Sequence, residues 1–502
     1  MYGGEDIKSA YLLKRQIVEE EVALHEKKVA ALENGLKDLQ AQRRGLDEKL
    51  NSILPVSQLP LEVLTDIFFL VCDYRKDFGL PGPYRIGRIC RSWRQIVQAT
   101  PRLWTYIYLP ISKARQAVQK VLLQEWIERT GNCPLHVVLT RSLDDLFSFD
   151  TWDPPKELFS ALVATCHRWT ELDIIVFPGL LQMLAEKLDV QPLQMTSLTL
   201  SAMGCDTPDW TFKLTHQLHT LHLQTGLRKR NIELCWNSLQ VLSAGLNVND
   251  CLAILEHCSG LIQCTLEIKR DKELVQHPSE KRFISQLRSM SLTGSTKLIG
   301  VVLLYLEAPL LRDLCLLLFP HDYEDDEDED VFWIESLLEM VECSSFPLIK
   351  LSVKQSKAVG VKEYLIAAML ANLQSVQELN LEFQHTVISD MVIKQLDISA
   401  SSVEERKKCL PYLKSFIYIG GIEFRPDTMI AMLKSRGACT GYGHSLELEP
   451  TVKRDTRFVV DITYTNDEWF RDKNPNVWHA FYKEVGLLLP DVELNLTLDH
   501  KA

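Results

Sequence analysis

The sequence has 13 cysteines but no Cys-x-x-Cys pair among them. An odd, unpatterned set of cysteines is untypical of a disulfide framework or of a zinc site with paired ligands. The first ten residues, MYGGEDIKSA, are polar and lack the apolar segment of a secretory signal. We therefore expect reduced thiols and a cytoplasmic and/or nuclear location.

Long hydrophobic runs and an excess of positive charge are also lacking. The most apolar stretch, Leu298 to Phe319, is interrupted by charged residues and a proline, which excludes a membrane span there. The 502 residues include 55 Lys and Arg against 67 Asp and Glu, a net charge of −12. Nucleic-acid phosphates are bound by clustered Lys and Arg. We therefore expect neither a membrane nor a nucleic acid as the partner.

Motifs of catalysis and metal binding are missing as well. There is no Gly-x-Ser-x-Gly motif, and the glycines from Gly437 to Gly443 lack the Lys-Ser/Thr of a phosphate-binding loop. His216, His219 and His222 are spaced like metal ligands. Along a strand, however, residues three apart point to opposite faces, so a shared metal ion is not expected. We predict a protein that is not an enzyme, with no cofactor and no metal.

The most informative stretch lies between Leu54 and Tyr108. Leu59-Pro60 opens a helix, because proline is tolerated in a first turn, and apolar residues then recur at three- and four-residue spacing. A polar loop rich in Gly and Pro follows from Asp73 to Pro83. A second helix is predicted around Trp93, and Thr100-Pro101 predicts the N-cap and first turn of a third. So short a segment cannot bury all its apolar surface alone, which indicates a partner.

Three motif blocks in this segment resemble the F-box, including F-box proteins of mushroom-type fungi. They are Leu-Pro-x-Glu-x-Leu-x-x-Ile-Phe from Leu59, Cys-x-x-Trp from Cys90 and Pro-x-Leu-Trp from Pro101. The resemblance implies docking on a Skp-type adaptor and, through it, on a cullin–RING ubiquitin ligase. The adaptor-binding residues it implies are Leu59, Pro60, Leu61, Glu62, Leu64, Ile67, Phe68, Leu103 and Trp104. The alternative is an ordinary helical hairpin with a buried pair of tryptophans.

A long helix with a heptad pattern precedes this segment, in residues 1–53. Its seam positions alternate in spacings of four and three, and nine of the eleven are apolar: Val18, Val22, His25, Val29, Leu32, Leu36, Leu39, Arg43, Leu46, Leu50 and Ile53. This spacing is typical of a coiled coil, and one interpretation is a homodimer through residues 8–53. Gly35 and Gly45 weaken the helix by ~1 kcal/mol each. The alternative is a single helix that packs back on residues 54–108.

The remainder of the chain is repetitive. A connecting helix is expected within residues 109–131, and a unit of the form apolar-x-x-apolar-x-apolar then recurs from Trp169 to Leu381. Its middle members from Leu172 to Leu314 are 26, 23, 21, 22, 26 and 24 residues apart. This period loosely resembles the leucine-rich repeat, although the family's polar ladder residue is mostly absent.

These patterns together predict an α/β protein. The predicted domains are a coiled-coil helix (1–53), a three-helix F-box (54–108), a connecting helix (109–131) and an irregular leucine-rich-repeat-like solenoid with a C-terminal cap (132–502). The cap is expected as a helix between Glu468 and Leu488, because a terminal repeat otherwise leaves its core in water. The alternative for the last region is an α/β domain with a mostly parallel sheet. The acidic run from Asp322 to Asp330 is expected to be a solvated loop between repeats, with a basic partner as the less favoured interpretation.

The residue between the last two apolar positions of each unit is small or polar. If the repeats form an arc, these residues face its concave side and are candidates for binding a target protein: Asp173, Thr199, His222, Ser243, Thr265, Ser291, Cys315, Ser352 and Asn380. We therefore predict a substrate-recognition subunit of a Skp/cullin/F-box ubiquitin ligase. The alternative is a coiled-coil scaffold unrelated to ubiquitin transfer; a hidden hydrolase would need a nucleophile–base pair that the sequence does not offer.

Overall fold

The fold is taken from a computed structural model of the chain, which combines helices with a large parallel sheet. It describes residues 4–72, 82–112, 115–141, 156–176, 184, 194–202, 211–214, 217–224, 229, 232–270, 282–284, 286–319, 327–344, 348–355, 361–399, 410–438, 458–464, 483, 485 and 492–498. These residues form two compact units: residues 1–108 with 118–135, and residues 109–117 with 136–502. The mixed α/β class and the long N-terminal helix are confirmed.

The first unit begins with helix α1, which runs unbroken over 50 residues, Gly4–Ile53. The apolar side chains of its heptad seam, from Val18 to Ile53, are each between 50% and 74% exposed. Its last turns are the part that contacts the following residues: Glu48 lies 2.6 Å from Arg91, and the helix end meets the 3-10 turn Pro55–Gln58. The helix therefore does not bury its seam on the rest of the described unit.

Three short helices follow: α2 (Leu61–Val71), α3 (Gly82–Gly87) and α4 (Arg91–Ala99). The single predicted helix around Trp93 is therefore two helices. The break lies at Cys90, whose backbone is extended and whose Sγ accepts the N–H of Trp93 at 3.4 Å as an N-cap.

The predicted third helix is only the 3-10 turn Pro101–Trp104, and strand β1 (Tyr106–Ile111) follows it. Thr100 does not cap this turn. Its hydroxyl instead donates to the carbonyl of Ile96 at 2.7 Å, at the end of α4. Ser and Thr side chains can bond the carbonyl four residues back in a helix, and this hydroxyl is then used at the end of α4.

Helix α5 (Gln116–Arg129) packs on this group of helices. The indole N–H of Trp126 donates to the carbonyl of Trp104 at 2.6 Å, and the two rings meet edge-to-face with centroids 5.2 Å apart. Tyr84 adds a third ring, 5.2 Å from Trp104. The predicted connecting helix therefore starts at Gln116 rather than near residue 109, and most of it belongs to the core of the first unit.

The second unit is built on a sheet whose strand order follows the chain: β1-β2-β3-β4-β6-β8-β9-β11-β13-β14-β15-β16-β17-β18. From β3 onward every neighbouring pair is parallel. The strands are β2 (Leu135–Arg141), β3 (Trp169–Val176), β4 (Ser197–Ala202), β6 (Thr220–Gln224), β8 (Val241–Asn247), β9 (Gln263–Lys269), β11 (Ser289–Ser295), β13 (Asp313–Phe319), β14 (Lys350–Gln355), β15 (Glu378–Ile388), β16 (Ser415–Ile422), β17 (Phe458–Tyr464) and β18 (Val492–Leu498).

Each predicted repeat unit supplies one strand of this sheet. Leu172 of β3, Leu198 of β4, Leu221 of β6 and Leu242 of β8 are aligned by the register, and all four are fully buried. Side chains alternate between the two faces of a strand. The apolar positions of the repeat therefore form rows on the buried face, and the residues between them lie on the opposite face.

Two further pairs of short parallel strands lie outside this sheet. Strand β5 (Phe212–Leu214) pairs with β7 (Ile232–Leu234), and β10 (Arg282–Phe283) pairs with β12 (Leu306–Glu307). Both pairs lie in the connections between strands of the main sheet.

Helices connect the strands of the second unit. They are α6 (Lys156–Val163), α7 (Val248–Leu255), α8 (Thr296–Leu304), α9 (Glu327–Ser344), α10 (Glu363–Asn372), α11 (Asp390–Gln395) and α12 (Pro426–Ala438). From α7 to α12 each helix contacts the next one along the chain. Several also contact neighbouring strands, as α7 does with β8 and β9.

The acidic run from Asp322 to Asp330 is not simply a loop. Helix α9 begins at Glu327, so residues 327–330 form its first turn, and residues 322–326 lie outside the described part. Most of the predicted cap between Glu468 and Leu488 also lies outside the described residues. Among those described, no helix is long and apolar enough to cross a membrane.

Candidate protein-interaction surfaces

Helix α2 carries an exposed apolar surface. Of the nine predicted adaptor-binding residues, five are exposed: Leu59, Pro60, Leu61, Glu62 and Ile67. The other four are in the core of the unit: Leu64, Phe68, Leu103 and Trp104, each at most 4% exposed. The motif therefore contains two kinds of residue: one packs in the core of the unit, and the other lies on its surface.

The same surface includes apolar residues that the motif did not identify. Val63, Phe69, Leu70 and Val71 are exposed, Leu70 to 74%. An amphipathic helix buries one stripe of its surface. In α2 this buried stripe holds Leu64 and Phe68. The sequence signal was the unbroken apolar run from Ile67 to Val71, which no single stripe can bury.

Arg102 borders this apolar surface. Its guanidinium lies 4.3 Å from the ring centroid of Phe69 and 3.6 Å from the carboxylate of Asp66. The contact holds the Phe69 ring against the turn that follows α4. The apolar surface is therefore edged by charged groups, as protein interfaces usually are.

The nine predicted target-binding residues form one continuous row across the sheet. The register pairs Asp173 with Thr199, Thr199 with His222, and so on, strand by strand, to Asn380. Eight of the nine are half-buried and Cys315 is exposed. The row continues through Ile417, Asp461 and Asn495. Because neighbouring strands are ~4.8 Å apart, such a row can contact an extended or helical segment along its length.

One end of the row is occupied by a charged cluster. His136, on β2, places one ring nitrogen 3.1 Å from the carboxylate of Asp173 and the other 3.1 Å from that of Glu171. Burial alone would raise the pKa of Asp173. The hydrogen bonds from His136 and Thr199, with the charges of His136 and His222, outweigh burial and hold the pKa below its ordinary value.

The lowered pKa of Asp173 has a consequence for acid stability. A carboxyl group with a lowered folded-state pKa contributes stability above its unfolded pKa, about 4, and loses it as the pH falls through the folded pKa. We expect the wild type to exceed Asp173→Asn in unfolding free energy at pH 7, and the difference to shrink toward zero below about pH 4. Denaturant titrations between pH 7 and pH 2.5 would measure it.

His136→Gln serves as the control for this prediction. It removes the ring that holds Asp173, so adding Asp173→Asn to it should have a smaller effect than in the wild type. An effect of Asp173→Asn that is independent of pH would contradict the assignment.

At the other end of the row, ion pairs flank it on both sides. Lys350 of β14 lies 3.0 Å from Glu378 of β15, and Lys354 pairs with Glu382 on the same two strands. Between them, the amide of Asn380 donates to the hydroxyl of Ser352 at 3.3 Å. The middle of the row, from Ser243 to Ser291, is small and uncharged. No sequence pattern points to His136, Glu171, Lys350 and Lys354, because only the pairing of strands brings them beside the row.

The described histidines and cysteines do not form a metal site. No group of three or more His, Cys, Asp or Glu there could hold a metal ion; His222 is in the row, and His216 lies outside the described part. Burial raises the pKa of the thiols of Cys251 and Cys264 far above the ordinary value and that of Cys258 to about 12. These three thiols are neutral and unreactive at neutral pH.

No model of a known protein family matches this chain, and no curated protein matches it. The resemblance to the F-box therefore depends on the three motif blocks and on the helices that carry them.

Proposed function

We propose that this protein is a non-enzymatic substrate-recognition subunit of a Skp/cullin/F-box ubiquitin ligase. Its first unit docks on a Skp-type adaptor, and its second unit binds a target protein for ubiquitin transfer by other subunits. The observation that carries the proposal is the exposed apolar surface of α2, which coincides with the Leu-Pro end of the motif.

The burial pattern supports the docking half of the proposal. Leu64, Phe68 and Trp104 hold the helices together, so their motif positions are accounted for by the core. Leu61, Ile67 and Leu70 have no such role in the described unit. An apolar surface edged by charges is typical of a site for another protein.

The sheet supports the target-binding half. The strands follow one another in chain order, and helices cover the face that holds the leucine rows. Packed helices need 8–10 Å each, whereas strands need about 4.8 Å. We propose that this mismatch curves the repeats into a solenoid, with the row from Asp173 to Asn380 on its concave side. A row that is small and polar in the middle and charged toward its ends suits a protein or peptide segment.

One purification experiment tests both halves. The full chain, tagged and expressed with a Skp-type adaptor, is isolated together with its bound proteins, which are then quantified by mass spectrometry. Leu61→Asp/Ile67→Asp should lower adaptor recovery by roughly 100-fold, because it places charge in the centre of an apolar interface. The milder pair Leu59→Ala/Pro60→Ala should lower it less. Neither pair should change the other bound proteins.

Two controls separate docking from folding and from target binding. Val121→Asp/Leu122→Asp alters exposed apolar residues of α5 and should leave adaptor recovery unchanged. Ser243→Arg/Ser291→Arg blocks the middle of the row, and should remove target proteins while the adaptor stays bound. If folded Leu61→Asp/Ile67→Asp protein still retains the adaptor fully, the docking assignment is wrong.

The scaffold alternative also has an observation in its favour, the exposed heptad seam of α1. A scaffold would use this seam and the row of the sheet without a ubiquitin ligase. The same purification distinguishes the two functions, since a scaffold would recover no Skp-type adaptor even as wild type.

A further inference from the structure

The heptad seam of α1 defines which residues flank it. With Val22, Val29 and Leu36 at a positions and Val18, Leu32 and Leu39 at d positions, the e positions from Glu19 onward are Glu19, Glu26, Glu33, Gln40 and Asp47. The g positions are Lys14, Glu21, Lys28, Gly35, Gln42 and Lys49. One flank of the seam is therefore acidic, and the other carries three lysines and one glutamate.

The seam itself is uncovered. Its apolar residues are at least half exposed, and α1 is one unbroken helix, so it cannot fold back on itself as a hairpin. At ~1.5 Å per residue it is about 75 Å long, and it needs a partner of comparable length to cover the seam.

The rest of the first unit contacts a different side of α1. Glu48 forms an ion pair with Arg91 at the start of α4, and it is at an f position, opposite the seam. A cleft of about 570 Å³ lies in the same place, between the end of α1 and the start of α4. The residues of α1 that line it are at b, c, e and f positions, and none is at an a or d position: Arg44, Asp47, Glu48, Asn51 and Ser52. The attachment of α1 to the unit therefore leaves the a and d positions free along the helix.

We infer that α1 pairs with α1 of a second copy of this chain as a parallel, in-register coiled coil. In a parallel pair each g residue faces the e residue five positions further along the partner. Lys14 then faces Glu19 and Lys28 faces Glu33, and each pair occurs twice by symmetry. Glu21 facing Glu26 is the one like-charged pair in this arrangement.

An antiparallel pair does not fit the same charges. In that arrangement e residues face e residues and g residues face g residues. With the two helices fully overlapped, Glu19 would face Asp47 and Glu33 would face its own copy, and Lys14 would face Lys49. A helix with this pattern is complementary to a parallel copy of itself, which is why the second copy is the occupant. His25 and Arg43 in the seam favour two strands over larger bundles.

The coiled-coil pairing affects how the proposed docking surface is presented. The inference of pairing does not rest on that docking. A parallel dimer brings the C-terminal ends of both α1 helices, and with them both α2 surfaces, to the same end of the coiled coil. A target with two binding segments would then bind both copies at once, and avidity would raise its apparent affinity.

Sedimentation of the full chain tests the dimer. The wild type should sediment as a dimer of twice 57.6 kDa at about 10 µM. Leu32→Asp/Leu39→Asp places four aspartates in the seam and should give a monomer. Ile17→Asp/Leu24→Asp changes two apolar residues of the same helix at c positions, each at least half exposed, and should remain dimeric. Circular dichroism checks that each variant keeps its fold.

Charge reversal tests the orientation. Glu21→Lys replaces the like-charged pair by an attractive one, and should lower the dimer Kd about fivefold. Lys14→Glu/Lys28→Glu should weaken the dimer, and adding Glu19→Lys/Glu33→Lys should restore it. A monomeric wild type, or a dimer insensitive to the seam aspartates, would overturn the inference and point to another chain as the occupant. Strengthening by Lys14→Glu/Lys28→Glu would overturn the parallel orientation.

Discussion

Trp104→Ala is expected to lower the free energy of unfolding of the first unit by about 3–5 kcal/mol, the usual cost of removing a fully buried tryptophan. Trp104 is 1% exposed, and its indole N–H donates to the carbonyl of Val97 at 2.8 Å. The rings of Trp126 and Tyr84 and the guanidinium of Arg129 all pack against it. The substitution leaves a cavity among these groups and removes one of the two hydrogen bonds that the Val97 carbonyl accepts, the other being from the N–H of Thr100 at 3.4 Å.

Denaturant unfolding of the full chain, followed by fluorescence and circular dichroism, measures this loss. Trp93→Ala is the matched control. Trp93 is only half-buried, and its ring packs against that of Phe68 with centroids 4.8 Å apart and planes tilted by 56°. Trp93→Ala should therefore lower the free energy of unfolding clearly less. Equal costs for the two variants would show that Trp104 is not the centre of this core.

This result affects how the motif is tested. Trp104, Leu103, Leu64 and Phe68 belong to the motif that implies adaptor binding, yet all four are core residues. A loss of adaptor binding after Trp104→Ala would reflect an unfolded unit. Only the exposed residues of α2 can test the contact itself.

Gly420→Ala is expected to lower the free energy of unfolding of the second unit by about 3 kcal/mol or more. Gly420 lies on β16 where the sheet has no room for a side chain. A Cβ there would lie 2.5 Å from the carbonyl oxygen of Phe383 on β15 and would also contact the hydroxyl of Tyr418. Neither can move freely, because the Phe383 carbonyl is backbone and the Tyr418 hydroxyl donates to the carbonyl of Thr386 at 2.7 Å.

Gly245→Ala is the control for this prediction. A Cβ at Gly245 would meet the end of the Lys269 side chain, with Nζ at 3.0 Å, and a lysine ammonium can turn away. The substitution also reduces the freedom of the unfolded chain, so a change between zero and a small gain in stability is expected. Thermal unfolding of the two variants would compare them. If Gly420→Ala is as stable as Gly245→Ala, the close approach of β15 and β16 is not as described.

The repeat pattern predicted much of the second unit. A strand is present at each predicted repeat, and residues named only from their place between two apolar positions lie in one row across nine strands. The reason is that alternation along a strand is a local property, and parallel pairing of similar units aligns equivalent positions. The period did not predict the two small parallel pairs, β5 with β7 and β10 with β12.

The motif blocks predicted less of the first unit. They located α2 and the tryptophans, but they did not separate α3 from α4 or reveal strand β1. The break at Cys90 depends on a cap formed by one thiol, and β1 depends on a partner strand distant in sequence. Neither the break nor the strand leaves a periodic pattern in the sequence.

The sequence by itself determined the long heptad helix, the strands of the repeats and the absence of a recognisable catalytic motif, because each is written in the spacing of neighbouring residues. Only the tertiary structure decided which motif residues are core and which are surface, and which side of α1 is left open. It alone placed His136 between Asp173 and Glu171. The physical reason is that burial and pairing are set by which segments meet in space, and local spacing does not contain that information.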